Sequence, residues 1–346
     1  MSANNKIGYV RLGNSGLKVS KIILGCMSYG SSKWESWVLD EEESIKSIKA
    51  AFDAGINAFD TADVYANGES EVVLGKAIKQ LDLPRDQIVV LSKLYFTVGT
   101  EIDENAFYAP DTADAKGYVN QHGLSRKHIF DGVKGILKRL QLDYIDVLQC
   151  HRFDYNTPIE ETMQALHDVV KEGYVRYIGM SSCHAWQFHA MQNYALNNKL
   201  TPFISMQNHY NLLYREEERE MFPTLKYLGV GAIPWSPLAR GLLTRPANVE
   251  TKRAGTDFVQ KGYHMGDSSQ NIITAVEAIA EKRGVSMAQV ALAWVIAQDG
   301  VTAPIVGTSS LDNLNDLIKG ASLTLTEEEL KELSSPYTPL AVFGHF

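Results

Sequence analysis

At 346 residues, with 45% hydrophobic and 21% charged side chains, the chain has the composition of a globular protein, long enough for one α/β barrel or two ordinary domains. A net charge of −8 argues against a nucleic-acid surface, and no apolar run is long enough to span a bilayer. Three cysteines, Cys26, Cys150 and Cys183, lie far apart with no CxxC, which argues against a disulfide framework or a zinc site.

The start, Met1-Ser-Ala-Asn-Asn-Lys6, is polar and has no secretory h-region, so a cytoplasmic setting is expected. Residues 9–20 read as a hairpin around Asn14-Ser-Gly16. Ile22-Ile-Leu-Gly25 is a buried strand. Asp40, with Glu43 three residues on, resembles a helix N-cap, and Ile45, Ile48, Phe52 and Ile56 follow at helical spacing. Asn57-Ala-Phe-Asp60 is a second strand, followed by a helix with Val73, Ala77 and Leu81 on one face. A third strand covers 88–93. The polar stretch at about 95–124 has few regular patterns, and loops of that length inside a domain are usually lids or binding loops.

Ser125 opens a helix with Ile129, Val133, Ile136 and Leu140. A fourth strand, 145–151, leads to Thr157-Pro-Ile-Glu160, which reads as a capping box with proline at the first helical position. Met163, Leu166 and Val170 continue that helix. Four more strands are expected at 177–181, 203–207, 231–235 and 303–307. Ser286-Met-Ala-Gln289 reads as another capping box, a last helix begins at Thr326-Glu-Glu-Glu329, and a second long loop covers about 239–268.

Eight short buried strands, each followed by a helical pattern, predict a parallel sheet closed into a (β/α)8 TIM barrel. The expected organisation is one domain over 1–346. It has a hairpin at about 9–20, a barrel at about 21–320, a C-terminal helix and tail at about 321–346, and long loops after strands three and seven. An open doubly wound sheet holding a dinucleotide would show GxGxxG after its first strand. Gly25-Cys-Met-Ser-Tyr-Gly30 does not match, and there is no GxxxxGK[ST].

In such a barrel the site lies at the C-terminal strand ends. Strands two, three and four end near Asp60, Lys93 and His151, and Tyr65 follows strand two by five residues. Adjacent strands stand about 4.8 Å apart, so these groups can share one pocket. Lysine would favour phenolate and lower the tyrosine pKa, aspartate would hold the lysine, and histidine would hydrogen-bond a substrate oxygen. That set suits carbonyl reduction with tyrosine as proton donor. Each residue alone has a plainer reading. Asp60 would be a helix cap, Lys93 a structural ion pair or a Schiff-base lysine of an aldolase, His151 a core histidine, and Tyr65 a loop aromatic. No HExxH or comparable ligand spacing points to a metal.

On Asp60-Thr-Ala-Asp-Val-Tyr65, Leu91-Ser-Lys93, Asp146-Val-Leu-Gln-Cys-His-Arg152, Ile178-Gly-Met-Ser-Ser182, Met206-Gln-Asn-His-Tyr-Asn211, Pro234-Trp-Ser-Pro-Leu238 and Pro304-Ile-Val-Gly-Thr308, the chain resembles the aldo-keto reductase superfamily. Arg240-Gly-Leu-Leu-Thr-Arg245 and the stretch from Arg11 to Ser20 look most like its fungal aryl-alcohol dehydrogenase-like branch. The resemblance implies an NADPH/NADP+ cofactor, with NADH as the alternative, and a catalytic tetrad of Asp60, Tyr65, Lys93 and His151. It implies Cys26, Met27 and Asp60 near the cofactor, and Ser181, Ser182 and Gln207 on the nicotinamide carboxamide. Ser182 replaces the commoner Asn. Trp235 would stack on the nicotinamide, and Ser236, Leu238, Arg240 and Gly241 would surround the pyrophosphate. Gly307, Thr308, Ser309, Asn313 and Asp316 would face the adenosine. Many relatives carry a basic residue there for the 2′-phosphate, whereas residues 307–316 contain no Lys or Arg.

The partner expected is a small-molecule aldehyde, ketone or alcohol, and nothing in the sequence specifies an oligomeric state. The aromatics Tyr29 and Trp34, with Met27 and Trp37, and Tyr95 and Phe96, with Phe107 and Tyr108, are expected to wall an apolar substrate pocket. The competing class is a weakly catalytic or non-catalytic nicotinamide-sensing subunit. NADPH oxidation with an aromatic aldehyde separates the two.

Overall fold

The computed structural model describes residues 7–104, 112–247, 249, 260, 263 and 266–345. Eight strands form one parallel sheet: Ile23–Gly25 (β1), Ala58–Asp60 (β2), Val89–Leu94 (β3), Ile145–Cys150 (β4), Val175–Ser181 (β5), Phe203–Gln207 (β6), Gly231–Ala232 (β7) and Ile305–Val306 (β8). They pair in the order β8-β1-β2-β3-β4-β5-β6-β7. Backbone hydrogen bonds close the ring between β8 and β7. The amides of Thr302 and Ile305 donate to the carbonyls of Ala232 and Pro234 at 2.8 and 2.9 Å. The predicted (β/α)8 barrel is therefore observed. Strands seven and eight are shorter than expected because Pro234 and Pro304 bring no N–H to the ladder.

The barrel is wrapped by α1 (Glu41–Asp53), α2 (Glu69–Gln80), α3 (Arg126–Leu140), α4 (Ile159–Lys171), α5 (Ala185–Asn197), α6 (Met221–Leu228), α7 (Asp267–Arg283), α8 (Met287–Ile296) and α9 (Leu311–Gly320). A last helix, α10 (Glu327–Ser334), follows. No helix among the described residues is long and apolar enough to cross a membrane. The Ser125 hydroxyl accepts from the His128 amide at 3.2 Å, and Thr326 with Glu329 forms a full capping box.

Two other expected caps and one capping box differ, because a side chain has a better partner elsewhere. The Asp40 carboxylate accepts from Ser32 instead of capping α1. Thr157 donates to Asp154 at 2.7 Å, so Pro158 takes the cap position of α4. Ser286 caps α8 as expected, but the Gln289 side chain leaves the box for Asp316.

The hairpin, Tyr9–Arg11 with Lys18–Ser20, plugs the barrel's N-terminal end. Leu12 and Val19 are fully buried there against Ile23, Ala58, Leu91 and Val147. The Asn14 amide donates to the Gly229 carbonyl at 2.7 Å. Gly13 has φ +57°, and a Cβ there would stand 2.6 Å from that carbonyl oxygen, so a side chain is excluded. With this end sealed, the cavity opens at the C-terminal end of the strands. Behind α10 the tail returns across that end. The Tyr337 hydroxyl donates to Glu216 at 2.6 Å, and the Phe343 amide donates to the Tyr214 hydroxyl at 3.0 Å.

Candidate active site

Asp60 is the last residue of β2, Lys93 lies one residue from the end of β3, and His151 follows β4 directly. Tyr65 opens a tight turn in which Ala66, Asn67 and Gly68 all have positive φ (45°, 53° and 96°). That turn folds the phenol back over the strand ends. The Lys93 ammonium is fully buried, and donates to Asp60 Oδ2 at 2.6 Å, the Thr61 carbonyl at 2.8 Å and the Tyr65 hydroxyl at 3.3 Å. The His151 ring meets the Tyr65 ring edge-on, with centroids 5.7 Å apart. Four residues expected from strand-end position thus converge.

Burial makes the larger contribution to the Tyr65 phenol and raises its pKa, while Lys93 pulls the other way. The expected net lowering by lysine is corrected here, because the sequence does not carry the desolvation cost. The phenol is therefore a proton-bearing acid at neutral pH. Burial also holds the His151 imidazole well below its ordinary range, helped by Arg152 and Lys93, so the ring is neutral. The Lys93 ammonium is stabilised by Asp60 and Tyr65 against its own desolvation, and its pKa is raised.

A cavity of about 1260 Å³ runs from these groups along the barrel top. Asp60, Tyr65, His151, Ser181, Gln207 and Trp235 line one end. The Ser181 hydroxyl donates to the Gln207 carbonyl at 2.9 Å. The Trp235 indole N–H donates to the Ser182 hydroxyl at 3.0 Å, so Ser182 sits at the indole's edge and not in the cavity wall. His209 covers one face of Trp235 (centroids 4.1 Å, interplanar 8°) and is itself backed by Tyr214 at 4.4 Å.

Further along, Ser236, Ala239, Arg240 and Gly241 have positive φ (54°, 48°, 54° and 97°). Consecutive left-handed residues curl the backbone tightly here, and the Ala239 and Gly241 amides donate within the turn to the Ser236 and Leu238 carbonyls at 3.0 and 2.9 Å. Ser236, Leu238, Arg240, Gly241 and Arg245 line the cavity there. Gly307, Thr308, Ser309, Asn313 and Asp316 line the far end, beside the N-terminus of α9. The Asp316 carboxylate is tied down by Ser286 at 2.5 Å and Gln289 at 2.6 Å. An indole with one ring face covered by His209, a turn that brings two arginines to the cavity and a polar far end together fit a nicotinamide dinucleotide.

The expected substrate walls differ. Tyr29 is fully buried, Trp34 packs against Val38 and Ala66, and Phe96 lies behind His151 at 5.1 Å. Tyr95 packs edge-on to Phe96 at 5.1 Å. None of these four lines the cavity; Met27, Trp37, Val38, Arg152 and Phe343 do. Large apolar side chains in these loops go first to the core, where they lose more water-exposed area. Cys26 is likewise buried in the core and its thiol is pushed up by burial. Met27 lines the cavity as expected. Phe107 and Tyr108 lie outside the described residues.

Sequence reading missed Gln149, Arg152, His209 and Phe343. Gln149 carried a signal: it is a polar side chain at an inward position of an apolar strand, two residues from His151. Phe343 carried none, because its place depends on the tail's return.

The aldo/keto reductase family model matches residues 21–337. The chain belongs to the aldo/keto reductase family. Members of this family generally use nicotinamide cofactors and act as oxidoreductases, and this aldo-keto reductase has close fungal relatives. It is 48% identical over 341 residues to the versiconal hemiacetal acetate reductase of Aspergillus parasiticus, covering 96% of this chain and 98% of the relative. It is 50% identical over 344 residues to a Schizosaccharomyces pombe protein classed as an aryl-alcohol dehydrogenase, covering 97% of both chains. An Alternaria alternata aldo-keto reductase is 46% identical over 349 residues, covering 99% of this chain and 94% of the relative.

Proposed function

We propose that this protein reduces aldehydes and ketones to alcohols, reversibly, with NADPH as cofactor and Tyr65 as the general acid. The observation that carries the reading is the Lys93 ammonium held between the Asp60 carboxylate at 2.6 Å and the Tyr65 hydroxyl at 3.3 Å, beside a neutral His151 at the cavity wall. When bound, the nicotinamide supplies a hydride to the carbonyl carbon. Tyr65 gives its proton to the carbonyl oxygen, so the bond order of C=O falls as O–H forms. Lys93 stabilises the phenolate left behind, and Asp60 keeps Lys93 in place. The neutral imidazole of His151 orients the carbonyl oxygen by hydrogen bonding.

Trp235, Ser181 and Gln207 are proposed to hold the nicotinamide, with Ser182 acting through the indole. The turn at 236–241 would hold the pyrophosphate and residues 307–316 the adenosine. An aromatic or medium-sized carbonyl substrate is supported by the apolar wall of Met27, Trp37, Val38 and Phe343, and by the names of the relatives. The direct test is NADPH oxidation with an aromatic aldehyde. No turnover by folded, cofactor-bound protein would favour a sensing role instead.

Two further results are expected. Activity should survive EDTA, since no described group of three or more His, Cys, Asp or Glu is placed to hold a metal. Chelator inactivation reversed by zinc would refute the metal-free mechanism. NADPH should be preferred to NADH, with Arg240 or Arg245 meeting the 2′-phosphate by a bidentate contact. That preference should shrink at high salt, because the contact is a charge pairing. Measuring kcat/KM for both cofactors at low and high ionic strength tests it. An NADH value at or above the NADPH value at low salt would exclude a 2′-phosphate site.

A further inference from the structure

Gln149 is fully buried on β4, in register with Lys93 on β3 and Gly179 on β5. Its Nε2 donates to Asp60 Oδ1 at 2.9 Å, and Gln207 Nε2 donates to the same oxygen at 2.9 Å. The other Asp60 oxygen receives Lys93 at 2.6 Å. An ionised carboxylate only accepts, so both amides must turn nitrogen towards it. The carbonyl end of Gln149 is then left over, and Gln207 Nε2 donates to it at 2.9 Å. Both N–H groups of Gln207 are thereby used, one by Asp60 and one by Gln149. Its Oε1 remains for the cavity, which Gln207 lines beside Ser181.

We propose that Gln149 is a positioning residue for the reaction: it holds the Gln207 amide so that an acceptor, and not a donor, faces the bound nicotinamide. The inference rests on the reductase reading above. A carboxamide meeting Gln207 has to present its own N–H2 there, and this selects one face of the nicotinamide ring for the substrate. Asp60 alone would not be enough. Without Gln149 the second N–H of Gln207 is free to pivot into the cavity and compete as a donor. The barrel interior is shaped around this contact. A Cβ on Gly179 would stand 3.1 Å from Gln149 Cγ and 2.4 Å from Ser205 Oγ, so the neighbouring strand leaves room for the amide. Asp60 is thus where the proton-transfer side (Lys93, Tyr65) and the cofactor side (Gln207) meet, and Gln149 bridges to the latter.

The test uses Gln149→Met, which fills similar space and makes neither bond. Two readouts beyond turnover are taken: affinity for NADP+ and NADPH by quenching of tryptophan fluorescence, and the stereochemistry of transfer from NADPH deuterated on one face of C4. The variant should keep its melting temperature within a few degrees, lose about tenfold in affinity, the order of one net hydrogen bond, and transfer from both faces where the wild type uses one. Gln149→Met/Gln207→Met should bind within about twofold of Gln207→Met alone, because the first residue acts through the second. Wild-type affinity with single-face transfer in Gln149→Met, or additive losses in the double variant, would overturn the proposal. If Gln149→Met does not fold, Gln149→Asn, which withdraws the amide by one methylene, is read by the same assays with the same outcomes. A wild-type chain that neither binds a nicotinamide cofactor nor reduces an aldehyde would remove the reductase reading and this inference together. A fault in this inference alone appears only in the variants.

Discussion

Tyr65→Phe is expected to lower kcat for aldehyde reduction by about 10² or more, with fold and cofactor affinity nearly unchanged. The phenol donates the proton in the proposed mechanism, and phenylalanine keeps the ring that packs on His151 and in a cluster with Met27 and Phe96. Only the hydroxyl contact to Lys93 is lost. The pH profile gives a second reading of the same group. Burial raises the phenol above its ordinary pKa of 10, so it stays protonated through neutral pH and beyond. Reduction should therefore hold its kcat from about pH 6 to about pH 9, while alcohol oxidation, which needs the phenolate, should rise across that window. His151 should add no acid limb, because its imidazole is held well below 6.5. Near wild-type turnover by Tyr65→Phe would reject tyrosine as the acid. A reduction profile with a midpoint near 6.5 would mean that His151 titrates during the reaction.

Lys93→Met should be at least as damaging to kcat, and should also cost stability. Its side chain and that of Asp60 are 0% and 3% exposed, so solvent does not screen the pair. Removing one partner of a buried ion pair costs about 3–5 kcal/mol, because a charge is left without its counter-ion. The Asp60 carboxylate would retain Gln149 and Gln207, which supply hydrogen bonds but no charge. Asp60→Asn combined with Lys93→Met removes the stranded charge. The double variant should recover much of the lost stability in a denaturant titration and recover none of the activity. Recovery of turnover in the double variant would show that Lys93 serves only the fold. Unchanged stability in Lys93→Met would contradict the buried pairing.

The relation between sequence and structure varies from residue to residue for a physical reason. The eight strands, their order and the polar groups at their ends were legible in the chain itself. A strand buried on both faces must be short and apolar, and a polar residue is tolerated where it ends. Asp60, Lys93 and His151 stand out on that ground alone, and Tyr65 by its short distance beyond Asp60. The helix starts at Ser125 and Thr326 were equally local, since each depends on residues within one turn.

Contacts between distant residues were decided only by the tertiary structure. The lost caps at Asp40 and Thr157 were local instead: their partners, Ser32 and Asp154, stand only 8 and 3 residues away in the loops before the helices, which the cap pattern does not include. Tyr29 and Trp34 left the expected substrate wall because burying a large ring in the core outweighs lining a wet cavity. The tail brought Phe343 to the cavity through Tyr214, which lies 129 residues away in the chain. Asp60 gathers Lys93, Gln149 and Gln207 from 33, 89 and 147 residues away. The direction of the Tyr65 pKa shift follows from the same packing. A sequence shows the charge of a neighbouring lysine, but the loss of water around the phenol exists only once the barrel has closed over it.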